Sequence, residues 1–286
     1  MSAGELALIA AILFALGVVL QQRGAMAAPS ATSRGFLRSV ATNPVWLGGA
    51  AAQLCGWVAQ AVALDRGQLF VVQPIISLQI VFALPLGVVL TGQHVHRRQW
   101  LGAIAVVAGL AVFLAVSNPS AGRDSAPRAT WVLASLSVAV GASLLVVVGR
   151  RQQAVTKAAL LGAAAGVVFG FQAAVTKVFV HVVPDGVGAI LHSPSTYAMI
   201  ASAIVGFYLC QASLQVGVLA PSVATMNIAT PATSMVLGRV VFLEVPSRST
   251  GGTIASLLAL TLLACGLLAI SGHEAAGKMR VSPSAR

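Results

Sequence analysis

Residues 158–176 read AALLGAAAGVVFGFQAAVT, an uncharged and largely apolar stretch. An α-helix rises 1.5 Å per residue, so about 20 apolar residues cross the ~30 Å hydrocarbon layer of a bilayer. Gly162, Gly166 and Gly170 recur at every fourth position of the stretch. Glycine at this spacing lets two membrane helices bring their backbones close together. The stretch therefore predicts a membrane-spanning helix that packs tightly against another helix.

Similar apolar runs occupy most of the 286-residue chain, of which 58% is hydrophobic and 8% charged. Soluble domains carry about 25% charged residues. Helices are favoured because lipid leaves no water for unpaired backbone groups, and the runs lack the alternation of membrane β-strands. The sequence thus predicts an all-α, polytopic membrane helical bundle. We place its nine transmembrane helices at 4–21, 45–64, 67–91, 99–117, 130–149, 157–178, 196–216, 219–243 and 251–271.

The formal net charge of +11 does not indicate a nucleic-acid partner. Lys and Arg lie in the short segments between apolar runs, where basic residues set membrane orientation, and not on one face with aromatic residues. An N-terminus outside puts eleven of the 17 Lys and Arg residues on the cytoplasmic side and six outside. We therefore expect a multi-pass protein of the inner (plasma) membrane, with its N-terminus outside and a polar cytoplasmic tail at 272–286.

The sequence contains an internal repeat, in which similar residues recur about 150 positions apart. The matching pairs are Pro44 with Pro194, Gly56 with Gly206, Leu64 with Leu214, Val95 with Val245, and Gly102 with Gly252. Within a single membrane domain at 1–271, this predicts repeat one at 4–117, a linker helix at 130–149 and repeat two at 157–271. Equivalent helices are five apart in order, so they run in opposite directions. Two inverted four-helix repeats are typical of secondary transporters, which bind substrate near the membrane midplane.

Polar side chains and prolines within the spans are the candidate substrate-binding residues. A polar group within lipid is costly unless it faces a cavity or a neighbouring helix. A proline removes one intrahelical hydrogen bond and leaves a carbonyl that can bind a ligand. The candidates are Gln60, Gln73, Pro74, Gln79, Gln172, Gln211, Asn227, Thr230 and Pro231. Hydrogen bonding between helices and simple packing kinks are the structural alternatives.

Charged residues within the spans are few. We expect Lys177 and Arg239 to extend their side chains to the outer interface. Asp65 and Glu244 are placed at helix ends, so no carboxylate is predicted in the middle of a span, where a proton relay would need one. The sequence contains no nucleotide-binding or nucleophile-elbow motif, and we predict no enzyme activity, no cofactor and no metal site.

The second repeat reads Pro231-Ala232-Thr233, then Phe242-Leu243-Glu244-Val245, then Gly252 and Gly266. This pattern resembles the signature of the drug/metabolite transporter superfamily, and Gln73-Pro74-Ile75 begins a similar pattern in the first repeat. The resemblance extends over nearly the whole chain, to EamA-like and NIPA-like nine-helix proteins. It implies a secondary transporter that moves a small organic metabolite or drug-like solute across the bilayer by alternating access.

Two other functions remain open. Helix 1 ends in Gln21-Gln22-Arg23-Gly24-Ala25, which is similar to the NIPA-type magnesium transporters and implies a divalent cation as the transported species. Magnesium prefers oxygen ligands, above all carboxylates. The superfamily also includes small four-helix proteins that act on lipids, which implies a lipid-headgroup translocator or a non-transporting partner subunit. A homodimer is a further possible assembly.

Overall fold

The structure, a computed structural model, describes residues 1–26, 42–92, 94–117, 122–123, 126–216, 219–245 and 250–271. The predicted tail at 272–286 lies outside these residues. The helices are α1 (Ala3–Met26), α2 (Pro44–Arg66), α3 (Leu69–Ile76), α4 (Gln79–Thr91), α5 (Arg97–Val116), α6 (Arg128–Arg150), α7 (Ala154–Val182), α8 (Val187–His192), α9 (Pro194–Gln215), α10 (Leu219–Val241) and α11 (Thr250–Ser271). The predicted helical membrane bundle is confirmed.

Within the described chain, eight segments are helical, long and apolar enough to cross a membrane. They correspond to α1, α2, α3 with α4, α5, α6, α7, α9 and α11. The ninth predicted span is α10, which has the length of a span at 23 residues. It contains Asn227, Thr230, Pro231 and Arg239, so it is more polar than the other eight. The described residues thus form a multi-pass membrane bundle with about nine spans.

Equivalent helices of the predicted repeats begin in the same way. At the start of α2, the Asn43 side chain accepts hydrogen bonds from the amides of Val45 and Trp46, at 2.9 and 3.1 Å. At the start of α9, the Ser193 hydroxyl accepts from the amide of Ser195. Both caps are followed by a proline in the first helical position, where its missing N–H costs nothing. Side-chain capping and proline together define both helix starts.

The predicted span at 67–91 is not one continuous helix. α3 ends at Ile76, two residues after Pro74, and α4 begins at Gln79. The backbone at the break makes i→i+3 hydrogen bonds, from Leu78 to the carbonyl of Ile75 at 3.0 Å and from Ile80 to that of Ser77 at 3.4 Å. Pro74 has no amide to donate to the Phe70 carbonyl, which weakens the last turn of α3, and the backbone tightens into a turn just after it.

The chain divides into two compact units. The first comprises Met1–Gly67 and Ile75–Val95. In this unit α1 packs against α2 and α4. A Cβ on Gly17 would lie 2.9 Å from the carbonyl oxygen of Gly49, and one on Gly49 would lie 2.7 Å from that of Gly17. The absence of side chains at both positions therefore lets the two backbones touch.

The second unit comprises Gln68–Pro74 and His96–Arg286, and its central helix is α7. α7 packs against α6, α9 and α10. A Cβ on Gly166 would lie 2.6 Å from the Met226 carbonyl oxygen, and one on Gly170 would lie 2.7 Å from that of Thr230. The glycine spacing at 162–170 is thus confirmed as a close backbone contact, here with α10.

In the same unit α5 packs against α11. A Cβ on Gly102 would lie 2.7 Å from the Gly266 carbonyl oxygen, and one on Gly109 would lie 2.7 Å from the Leu263 amide nitrogen. As the residue number rises along α5, the number of the contacted residue falls along α11, so the two helices are antiparallel. They are the last helices of the two predicted repeats, and an inverted repeat requires this opposition. The inverted arrangement of the complete repeats stays a prediction.

Candidate functional site

A buried ion pair lies at the carboxyl ends of α7 and α10. Glu244, three residues after the end of α10, has no exposed surface, and its Oε1 is 2.7 Å from Nζ of Lys177. Lys177 is itself buried within α7. Two charges removed from water are costly unless each is paired and hydrogen-bonded, because their hydration is lost. Removing one partner leaves the other as an uncompensated buried charge.

The carboxylate of Glu244 also binds the start of α3. The amides of Leu69 and Phe70 donate to Oε1 and Oε2, at 3.2 and 3.3 Å. The first amides of a helix have no partner within the helix, and the helix dipole places partial positive charge there. Glu244 therefore joins the beginning of α3 to the ends of α7 and α10 through one side chain.

The backbone after α10 turns back to bring Glu244 into this position. Leu243 has a positive φ of 59°, and the amide of Glu244 donates to the carbonyl of Gly238 at 3.0 Å. A Cβ on Gly238 would lie 2.8 Å from Oε2 of Glu244, so only glycine leaves room for the carboxylate. Arg123 supports the turn, with Nε 2.7 Å from the Val241 carbonyl oxygen.

Aromatic rings cover the ion pair on one side. Nζ of Lys177 lies 4.9 Å from the centre of the Phe242 ring, within the range of a cation–π interaction. The Trp131 ring meets Phe242 edge-on at 5.9 Å and Phe171 edge-on at 6.3 Å. We refer to Lys177, Phe242 and Glu244, with the amides of Leu69 and Phe70, as the Glu244 cluster.

One sequence prediction about charge is wrong here. Lys177 does not extend to the interface, because it is buried and paired with Glu244. Glu244 follows a helix as predicted, and it is buried and paired with Lys177. Arg239 is exposed on α10 and is not the partner of Glu244. The sequence interpretation also missed the covering residues Phe242 and Trp131.

A cavity of about 380 Å³, which we call the proline cavity, lies beside the cluster. Pro74 of α3 and Pro231 of α10 both line it. Phe70 contributes a wall with its ring, while its amide binds Glu244. The remaining described lining is apolar except for Arg239 and comes from α10 and α11: Ile228, Ala232, Met235, Val236, Val240, Leu257, Leu260, Leu263, Ala264 and Leu267.

A second cavity, of about 420 Å³, lies on the α6, α7 and α9 side of this unit. Trp131 and Phe171 line it, so we call it the tryptophan cavity. Arg128 and the hydroxyl-bearing Ser135, Ser193 and Ser195 supply its polar lining. Since Trp131 also contacts Phe242, one side chain connects this cavity with the Glu244 cluster.

The structure brings together two of the predicted binding residues, Pro74 and Pro231. In the second unit Gln73 and Gln172 are buried, whereas Gln211 is exposed on α9. The side chains of Asn227 and Thr230 donate to backbone carbonyls of their own helix, at 2.9 Å each. Gln60 and Gln79 are half-buried in the first unit. Substrate binding by these residues stays a prediction.

Some polar side chains of α10 make the contacts between helices that were the structural alternative. Thr225 donates to the Ala159 carbonyl of α7 at 2.7 Å, and Ser234 donates to that of Gly170 at 3.2 Å. Within the described chain, no three His, Cys, Asp or Glu side chains come together as they would around a metal ion. Thr225 and Ser234 thus help to hold α10 against α7.

Comparison with known proteins finds similarity to a transporter family over part of the chain and to one relative over most of it. Residues 42–115 match the EamA-like transporter family. An uncharacterized protein of Corynebacterium glutamicum is 29% identical over 275 residues, which cover 93% of each chain. No solved structure matches the chain.

Proposed function

We propose that this protein, whose residues 42–115 match an EamA-like transporter domain of the drug/metabolite transporter superfamily, carries a small organic metabolite or drug-like solute across the membrane by alternating access. The observation that carries the proposal is the proline cavity. Its volume of about 380 Å³ lies within the ~300–1,000 Å³ range of small-molecule sites. Two proline-containing helices meet there, and α3 ends soon after its proline, as the discontinuous helices of transporters end near their binding sites.

The lining of the proline cavity suits an organic solute better than a magnesium ion. Its described walls are aliphatic and aromatic, with Arg239 as the charged group. Magnesium keeps much of its hydration shell and needs oxygen ligands, which aliphatic walls cannot provide. Arg239 repels a cation and attracts an anion. We therefore infer a solute with an apolar body, neutral or with one negative group.

The Glu244 cluster has the geometry of a gate for this cavity. It fixes the start of α3, and Phe70 and Pro74 of the same helix line the cavity. α3 has only 8 residues, and it ends at the break after Pro74. Release of Leu69 and Phe70 from Glu244 would let this short helix move and open the cavity. A few loop or helix-end residues commonly absorb such a motion in proteins that close around a ligand.

The membrane location supports this mechanism. We place the protein in the plasma membrane with the N-terminus outside, as the distribution of Lys and Arg favours. This orientation puts the start of α3 and the carboxyl ends of α7 and α10 on the outer side. The Glu244 cluster then closes the outer end of the path.

The test is solute loss from proteoliposomes that are loaded with a bacterial metabolite extract and magnesium. Mass spectrometry follows every organic solute, and an enclosed fluorescent indicator follows magnesium. We expect the purified protein to deplete one or a few organic solutes relative to empty liposomes, and Arg239→Gln to alter that selectivity. Arg151→Gln, at an exposed residue after α6, is the matched control.

Two outcomes would reject the proposal in favour of its alternatives. Magnesium flux without loss of any organic solute would favour the divalent-cation transporter. Transbilayer movement of a fluorescent phospholipid, again without solute loss, would favour the lipid-headgroup translocator.

A further inference from the structure

We propose that the tryptophan cavity is a second ligand site, separate from the proline cavity, and that it binds a small aromatic carboxylate. The cavity is built entirely from the second unit, by α6, α7 and the start of α9. Its volume of about 420 Å³ is sufficient for a two-ring molecule and falls within the ~300–1,000 Å³ range of small-molecule sites.

The aromatic preference follows from the fixed geometry of Trp131. Its ring stands at 75° to Phe171 and at 79° to Phe242, so it is held between two edge-on neighbours. Trp131 and Phe171 both line the cavity. Ring pairs in offset or edge-on contact gain attraction beyond the area they bury, because of their quadrupoles. A flat aromatic ligand meets two rings that are already oriented.

The negative charge of the ligand follows from the polar side of the cavity. Arg128 is the charged residue among the described lining residues, and it begins α6. Ser193 caps the start of α9, and its hydroxyl lies 2.7 Å from that of Ser195. Both helices therefore direct their positive ends toward the cavity. A guanidinium binds a carboxylate through two parallel hydrogen bonds, and hydroxyls can donate to the same group.

The rim next to this polar side is held in place by further hydrogen bonds. The hydroxyl of Thr196 donates to the Ile190 carbonyl at 2.6 Å, and that of Tyr197 donates to the Leu191 carbonyl at 2.7 Å. α8 is thereby fastened to the first turn of α9. Ser193 and Ser195, at the start of the same helix, therefore lie on a braced segment, which lowers the entropy cost of ordering them around a ligand.

The test is calorimetric titration of the full-length protein in zwitterionic lipid nanodiscs, with empty nanodiscs as the blank. The probes are naphthalene-2-carboxylate, the uncharged naphthalene-2-carboxamide and the non-aromatic cyclohexanecarboxylate. We expect saturable binding of the first probe alone. Arg128→Gln should weaken it about 10- to 100-fold, as loss of a charged hydrogen bond does. Trp131→Leu should weaken it about 3- to 10-fold.

Arg150→Gln is the matched control, because Arg150 is exposed at the other end of the same helix. It should bind as the wild type does. Thermal unfolding of each variant verifies that it is folded, and Arg128→Lys should bind with an intermediate affinity if charge is what matters. Equal binding of the acid and its amide, an unchanged affinity in folded Arg128→Gln, or no saturable binding by the wild type would overturn the proposal. None of these results depends on solute flux through the proline cavity.

Discussion

Replacement of Lys177 by methionine tests how strongly the Glu244 cluster holds the second unit together. Lys177 is buried and its Nζ is 2.7 Å from the carboxylate of Glu244, which has no exposed surface. Methionine fills a similar volume without charge, so the Glu244 carboxylate would remain buried with only two backbone amides as partners. Breaking a buried pair in this way costs about 3–5 kcal/mol. That corresponds to a roughly 100- to 4,000-fold change in the folding equilibrium.

The assay is unfolding by increasing SDS in mixed micelles, followed by tryptophan fluorescence, for a double-mutant cycle. The variants are Lys177→Met, Glu244→Gln and the double replacement. In the double variant neither charge is buried, and the amide oxygen at position 244 can still accept from Leu69 or Phe70. We expect it to lose less unfolding free energy than the sum of the two single variants, by about 1–3 kcal/mol.

The matched control is Asp185→Asn, because Asp185 is an exposed carboxylate in the same unit. It should change the unfolding free energy by no more than about 0.5 kcal/mol. Single variants that each lose less than about 1 kcal/mol, or losses that simply add, would refute the reasoning. Such a result would mean that the pair is hydrated in the membrane and does not hold α3 to α7 and α10.

The remaining predictions concern packing, the helix break and the turn after α10. Gly166→Ala would put a Cβ 2.6 Å from a carbonyl oxygen of α10 and should lower the unfolding free energy by about 1–3 kcal/mol in the same assay. Gly141 has open space around it, so Gly141→Ala should leave the unfolding free energy unchanged or raise it by up to about 1 kcal/mol. Equal effects at the two glycines would contradict the close contact. Pro74→Ala restores an amide at the end of α3. It should slow solute flux in proteoliposomes, while the unfolding free energy changes by less than about 1 kcal/mol. Unchanged flux would show that transport does not need the helix break. Arg123→Gln removes the 2.7 Å hydrogen bond to the Val241 carbonyl and should cost about 1–3 kcal/mol, and no loss would show that the turn is held by other contacts.

The helical membrane fold could be predicted from sequence because its cause is local. Each span needs only a long apolar run, and lipid permits few alternatives to a helix. The close contact of α7 with α10 was likewise indicated by glycine spacing, although the identity of the partner helix was not. Asn43 and Ser193 each cap a helix that begins with proline, so the starts of these two equivalent helices are also marked in the sequence.

The Lys177–Glu244 pair could not be derived from local pattern, because its members are 67 residues apart. Lys177 lies one residue beyond the uncharged run that ends at Thr176, and we interpreted that position as the interface. A usable signal did exist. The chain has only six acidic residues, and alternation of the predicted spans puts Glu244 on the same side of the membrane as Lys177. A basic residue at the end of a span is reason to look for an acid there.

Hydropathy does not reveal the break between α3 and α4. The segment from Leu69 to Thr91 is apolar throughout, with a mean hydropathy of 2.1, so it was predicted as one span. Pro74 was recognised as an interruption, but a proline within a membrane helix can produce either a kink or a break. The outcome here involves tertiary contacts, since Glu244 holds the other end of α3.

The most direct test of the transport account is the accessibility of Met235, which lines the proline cavity and is 8% exposed. Met235→Cys would be made after Cys55, Cys210 and Cys265 are replaced by serine, and labelled in proteoliposomes with a membrane-impermeant thiol reagent. Leu258→Cys, 67% exposed on α11, is the lipid-facing control and should not react. We predict that the thiol introduced at position 235 reacts from either side of the membrane and that the transported solute slows the reaction. No reaction from either side would contradict the account, because the cavity would then be a groove filled by lipid.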